Sequence, residues 1–152
     1  MRNREQVFVN SLQNYLKAFF TQKAEENEIE DIVLWQDGYA GVISGLTHYP
    51  GCIVIVEGRT ITGAYTAEYE VTIYVGITSG DPVTLEATGR VWQDILEDAI
   101  RADWTLGGSC LQVLDGAEIR PGCTNDVYTA GIRFRCEVDL GGYVYGNTEE
   151  DS

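Results

Sequence analysis

The chain has 152 residues, 44% of them apolar, which suits one globular domain able to bury roughly 70% of its unfolded surface. No apolar run approaches the ~20 residues a membrane-spanning helix needs, and no compact apolar run with a small-residue cleavage site follows Arg2 and Arg4. A net charge of -14 opposes attraction to phosphates and anionic lipid, so the sequence predicts a cytoplasmically folded protein with no specific nucleic acid and no membrane as partner.

Residues 4 to 26 carry Val7/Phe8, Leu12, Tyr15/Leu16, Phe19/Phe20 and Lys23 three or four apart, which predicts an amphipathic helix. An acidic connection, Glu25 to Asp31, follows, and Ile32 to Trp35 reads as a short strand. From Gln36 to Gly51 the density of glycine and proline predicts a loop or a loosely formed hairpin. Tyr39 and Tyr49 stand within it and make it one candidate contact surface.

Cys52 to Val56 is a β-branched run of the kind found in a central strand covered on both faces. Thr60 to Tyr65 turns the chain. Ala67, Tyr69, Val71, Ile73, Val75 and Ile77 then alternate with Glu68, Glu70, Thr72, Tyr74 and Thr78, which predicts a long, half-exposed strand. Its second face, with Glu68, Glu70, Thr72 and Tyr74, is the other candidate interface, because tyrosine combines an apolar body with a polar tip.

Asp81-Pro82 is a helix start, with an acceptor at the cap and proline at the first helical position. Leu85, Gly89, Trp92, Ile95, Leu96, Ala99 and Ile100 then recur at helical spacing. Glu86 with Arg90, and Glu97 with Arg101, stand acid-then-base at i,i+4 on the opposite face. Trp104-Thr105-Leu106 leaves the helix, and Gly107-Gly108 turns into a strand over Cys110–Leu114. Asp115-Gly116 and Pro121-Gly122 read as turns around Ala117–Arg120. Ile132, Phe134, Cys136, Val138 and Leu140 alternate with Arg133, Arg135, Glu137 and Asp139 in a closing strand.

The pattern predicts an α+β fold, a mainly antiparallel β-sheet with two helices packed on it. A single domain over residues 1–146 and a disordered acidic tail over 147–152 are expected. Trp92, Leu96, Ile55, Ile73, Val75 and Phe134 are expected between the second helix and the sheet.

The search for chemistry finds no phosphate-binding glycine motif, no nucleophile elbow and no metal-ligand spacing. His48 is the only histidine, and it lies in the glycine-rich segment. The four cysteines are far apart, and Cys52, Cys110 and Cys136 sit in apolar runs, as reduced core thiols do. The sequence therefore predicts no catalytic residue, no cofactor, no metal and no enzymatic activity.

The element order, the segment Thr105-Leu106-Gly107-Gly108 leading from helix to strand, and the closing strand ending in Val138-Asp139-Leu140-Gly141-Gly142-Tyr143 resemble the tail terminator and minor tail proteins of long-tailed bacteriophages and prophages. The likeness is carried most by Asp94 to Val113 and Tyr128 to Tyr143, and covers most of the chain in layout. It implies a structural protein of the virion tail, assembled in the host cytoplasm. Such proteins form a homo-oligomeric ring, commonly a hexamer, that caps the tail tube and meets the head connector, while DNA passes through without being held. A small monomeric domain gripping a ligand or peptide with loop 36–51 is the alternative. A hydrolase whose acid pair meets only on folding is a third.

Overall fold

The computed structural model describes residues 3–38, 46–124 and 126–141. Within them the elements run α1 (Arg4–Asn27), β1 (Leu34–Gly38), β2 (Gly51–Ile61), β3 (Thr66–Thr78), α2 (Pro82–Ala102), β4 (Gln112–Val113), β5 (Glu118–Ile119), β6 (Gly122–Thr124) and β7 (Val127–Asp139). The class is α+β, with both helices against one seven-stranded sheet.

The sheet order is β1-β2-β3-β7-β4, and β5 and β6 also pair with β7. Every pairing is antiparallel except β1 with β2, which is parallel and aligns Leu34 with Gly51 and Gly38 with Ile55. Of the loop and the hairpin expected over Gln36–Gly51, the parallel pairing excludes a hairpin between these two strands. Parallel neighbours need a crossover of about a dozen residues, and a tight turn cannot supply one. The strand after Pro121 is also new: Pro121-Gly122 was expected to start a turn, and Gly122 to Thr124 pairs with Val127 to Thr129.

Local chemistry accounts for the helix starts. Asn3 Oδ1 accepts the Gln6 N–H at 2.7 Å, and Asp81 accepts Val83 N–H at 3.2 Å and the Thr84 hydroxyl at 2.7 Å. The Thr84 and Val83 donors hold the Asp81 carboxyl below its ordinary range. Beyond α2, Asp103 accepts Thr105 N–H at 2.9 Å, the Thr105 hydroxyl at 2.8 Å and Gly107 N–H at 3.1 Å. That clasp carries the chain through Leu106, whose backbone has φ 52 and whose side chain is fully buried. Of the two expected i,i+4 pairs, Glu86–Arg90 forms at 2.7 Å, and no Glu97–Arg101 pair is present among the described residues.

The two helices run antiparallel and share one core with the sheet. Phe8, Leu12, Leu16 and Phe20 of α1 and Trp92, Leu96 and Ala99 of α2 meet Val54, Val71, Ile73, Val75, Ile132 and Phe134. Phe20 contacts Trp92 edge-on at 5.3 Å, and the Tyr15 hydroxyl donates to the Ala99 carbonyl at 2.6 Å. Gly89 sets how closely α2 lies on β7, because a Cβ there would stand 2.3 Å from the Tyr128 ring.

Ile55 is a correction. It is fully buried, but Cys52, Val54 and Val56 point to the helices, so Ile55 and Ile53 lie on the sheet's other face. Cys52, Cys110 and Cys136 are buried, as expected for core thiols, and Cys123 is exposed.

The side chain of Gln93, 7% exposed, reaches from α2 to the backbone of β7. It donates to the Gly131 carbonyl at 2.8 Å and accepts the Gly131 N–H at 2.9 Å. Gln93→Ala would leave that buried N–H without its acceptor, and should lower stability by about 1–3 kcal/mol. Gln93→Glu, whose carboxyl can both donate and accept only when protonated, should recover part of the loss at low pH. A denaturant midpoint unmoved by Gln93→Ala would refute the role.

Candidate functional site

The second face of the sheet, away from the helices, holds most of the residues singled out from sequence. Glu68, Glu70, Thr72 and Tyr74 are the alternate residues of β3 on that face, facing β2 on one side and β7 on the other. The register puts Arg133 opposite Thr72 and Arg135 opposite Glu70. Each arginine reaches diagonally to the next acid along the strand, a distance long side chains span.

Arg133 pairs with Glu70 and, at 3.3 Å, with Glu57, and Arg135 pairs with Glu68 at 3.0 Å. Glu57 takes this place because the register shifts between Val56 and Gly58, a bulge that inserts it between two paired residues. Arg135 also donates to the Asp115 carbonyl at 3.2 Å. The face is therefore a cross-strand ladder of alternating charge. Pairs this open to water contribute about 0.2–1 kcal/mol each, so the ladder fixes register more than it adds stability.

Thr72 does not belong to a contact surface. It is fully buried, and its hydroxyl has no partner among the described residues. Tyr74 is half-buried, with its ring lying across Gly131, where a Cβ would be 2.8 Å away. Its hydroxyl bonds Arg120, and Glu118 lies beside the same guanidinium; both favour the charged form. Tyr49 lies over Gly76, and Leu46 fills the space above both Gly51 and Gly76, which are paired neighbours in β2 and β3. Paired glycines make a trough in the sheet, and the returning chain lies in it. Tyr39 lies outside the described residues.

Two concave regions are present at opposite ends. At the end holding the β2–β3 turn, Arg4, Arg59, Ile61, Ala67, Tyr69 and Leu140 line a groove of ≈ 290 Å³. At the other end a cleft of ≈ 260 Å³ lies among Glu28, Glu30, Tyr49, Thr84 and Trp92. The indole N–H of Trp92 has no partner among the described residues.

Sequence reasoning missed the apolar surface at the first of these ends. Ile61 is 78% exposed, Trp104 64%, Tyr65 45% and Leu111 45%. They share this end because Ile61 pairs with Ala67, the Tyr65 carbonyl accepts Leu140 N–H at 2.6 Å, and Leu111 N–H donates to the Glu137 carbonyl at 2.7 Å. Trp104 accompanies them, since Val113 N–H donates to its carbonyl at 2.8 Å. The available signal was large apolar residues at turns, where no period requires them.

No group of three or more His, Cys, Asp or Glu is placed to hold a metal among the described residues. The Cys136 thiol bonds Cys110, which lowers the Cys110 pKa and raises that of Cys136. Burial pushes the Cys52 thiol up. No helix among the described residues is long and apolar enough to cross a membrane. No model of a known protein family matches the chain, and no curated protein is significantly similar to it.

Proposed function

We propose that the chain is a structural subunit of a long-tailed bacteriophage or prophage, a tail terminator or related tail-completion protein without enzymatic activity. Its copies form a ring, commonly a hexamer in proteins of this kind. The ring caps the tail tube, meets the head connector and lets DNA pass through unheld. The order of elements supports this reading. The observation that carries an assembly role is the gathering of Ile61, Tyr65, Trp104 and Leu111, all exposed, at one end. Large exposed apolar side chains gathered at one end are a feature of surfaces that contact another protein.

A head-to-tail ring contact joins two different patches and closes at one rotation angle. A charge of -14 per subunit opposes closure, so added salt should strengthen assembly by screening exposed like charges. The charge also disfavours any grip on DNA. Light scattering across protein concentration and salt should give a mass several times 16.8 kDa. Purified tail tubes should bind the protein. Ile61→Asp with Trp104→Asp should abolish both behaviours while leaving the circular dichroism spectrum unchanged. A wild-type monomer under every condition that also ignores tubes would sink the proposal.

A monomeric binding domain is the second reading. The cleft beside Tyr49, with the unpartnered Trp92 N–H in its lining, favours it. That outcome would show as a persistent monomer whose tryptophan emission shifts on titration with a ligand.

A further inference from the structure

We propose that the buried pair Cys110 and Cys136 is a covalent modification site, at which a small-molecule disulfide enters at Cys110 and leaves a reversible Cys110–Cys136 disulfide behind. Both are free thiols in the core shared by the helices and the sheet. The backbone brings them together. Leu111 N–H donates to the Glu137 carbonyl at 2.7 Å, so Cys110 and Cys136 each adjoin a residue of the same interstrand bond. Cys110 N–H turns back to the Thr105 carbonyl at 3.1 Å, and Val113 N–H bonds the Trp104 carbonyl at 2.8 Å, which lays the turn after α2 against β7. The sulfurs then stand in a relay. Cys136 S–H donates to the Cys110 sulfur, and Cys110 S–H donates to the Trp104 carbonyl at 3.7 Å.

The two thiols differ in the way such an exchange needs. Cys110 is 7% exposed and Cys136 is fully buried, so a reagent from solvent meets Cys110 first. The bond from Cys136 lowers the Cys110 pKa, against the opposing effects of burial and the Asp103 carboxylate. That same bond, with burial and the Glu68 carboxylate, raises the Cys136 pKa. The thiolate is the nucleophile, and Cys110 forms it more readily. Cys110 loses its proton and attacks one sulfur of a small disulfide such as oxidised glutathione; that S–S bond breaks, and one glutathione leaves as thiolate. Cys136 then loses its proton and attacks the Cys110 sulfur, and the second glutathione leaves. Two protein thiols are oxidised, one glutathione disulfide is reduced to two thiols, and the two protons end on the leaving groups. The product covalently ties the turn after α2 to β7 and closes a loop that contains β5 and β6, which constrains the unfolded chain. Trp104 and Leu111, both exposed, flank this turn, so the bond also holds the apolar end in place. Its consequence for assembly rests on the ring reading, but the disulfide does not.

The test uses the full chain with Cys123→Ser, which removes the exposed competing thiol and leaves the core untouched. After incubation with oxidised glutathione in native buffer, mass spectrometry of tryptic peptides should find the peptide holding Cys110 joined to that holding Cys136, with loss of two hydrogen atoms. A reductant should separate them. Cys52, fully buried, should stay free throughout and thereby report that the fold remained closed. With Cys136→Ser added, the reaction should stop at glutathione bound to Cys110, formed at least about tenfold faster than any adduct on Cys52. With Cys110→Ser added instead, Cys136 should stay free. Failure of the two peptides to join would overturn the proposal, without touching the ring reading. Joining no faster than Cys52 reacts would also overturn it, by making global unfolding the route. So would Cys136 taking up glutathione in the Cys110→Ser chain faster than Cys110 does in the Cys136→Ser chain, since the entry sulfur would then be the wrong one.

Discussion

Replacing Trp92 by alanine should lower the unfolding free energy by about 3–5 kcal/mol, the largest loss expected from any single truncation here. Trp92 is fully buried, is the largest fully buried side chain among the described residues, and sits where α2, α1 and the sheet meet. Its loss removes the edge-on contact with Phe20 and opens a cavity between two helices and a sheet, whose separate backbones collapse poorly. Trp92→Phe is the informative companion. It keeps most of the packing and deletes an indole N–H that has no partner among the described residues, so its cost should be clearly smaller. Chemical denaturation at constant m-value distinguishes the two. Equal midpoints for Trp92→Ala and the wild type would remove Trp92 from the centre of the core.

Gly89→Ala should destabilise, against what helix propensity predicts. In an exposed helix interior the change gains about 1 kcal/mol. Here the new Cβ would stand 2.3, 2.4 and 2.6 Å from three atoms of the Tyr128 ring, one of them at its root. Tyr128 is itself buried on β7, so α2 must lift or the ring must leave its place. Overpacking of this kind costs about 1–3 kcal/mol, often with a backbone shift, and outweighs the propensity gain. Gly89→Val combines more bulk with poorer propensity and should be worse than alanine. A higher melting temperature for Gly89→Ala would show that the helix–sheet contact is looser than described.

What was legible in the sequence was what short-range chemistry determines. Asp81-Pro82 carries its own cap, so the start of α2 could be read to the residue. The alternation in β3 and β7 identified both long strands within a few residues, because period two needs no knowledge of the partner. The direction of β1 was not legible. It depends on the route taken between residues 38 and 51, and no periodicity records a route. Ile55 was assigned to the wrong face for a related reason: a continuous apolar run shows that both faces are covered, but not which one meets the helices. Thr72 was read as part of a candidate interface from its place between Glu70 and Tyr74, yet it is buried. The ladder of Glu57, Glu68 and Glu70 with Arg133 and Arg135 needed the register of β3 against β7, which only folding supplies.

The fork of Gln93 on Gly131 has a consequence for how copies of this chain can meet. On the side away from β3, β7 carries two- and three-residue strands in place of one long neighbour, and such gaps are templates on which foreign strands grow. At Gly131 the backbone N–H is taken by the Gln93 side chain, and the carbonyl is shared between that side chain and the Arg120 N–H at 2.9 Å, so neither is open to a foreign strand. Continuous β-addition along that margin is interrupted at its middle. Open-ended cross-β growth along that margin is disfavoured by the same glutamine that anchors the helix.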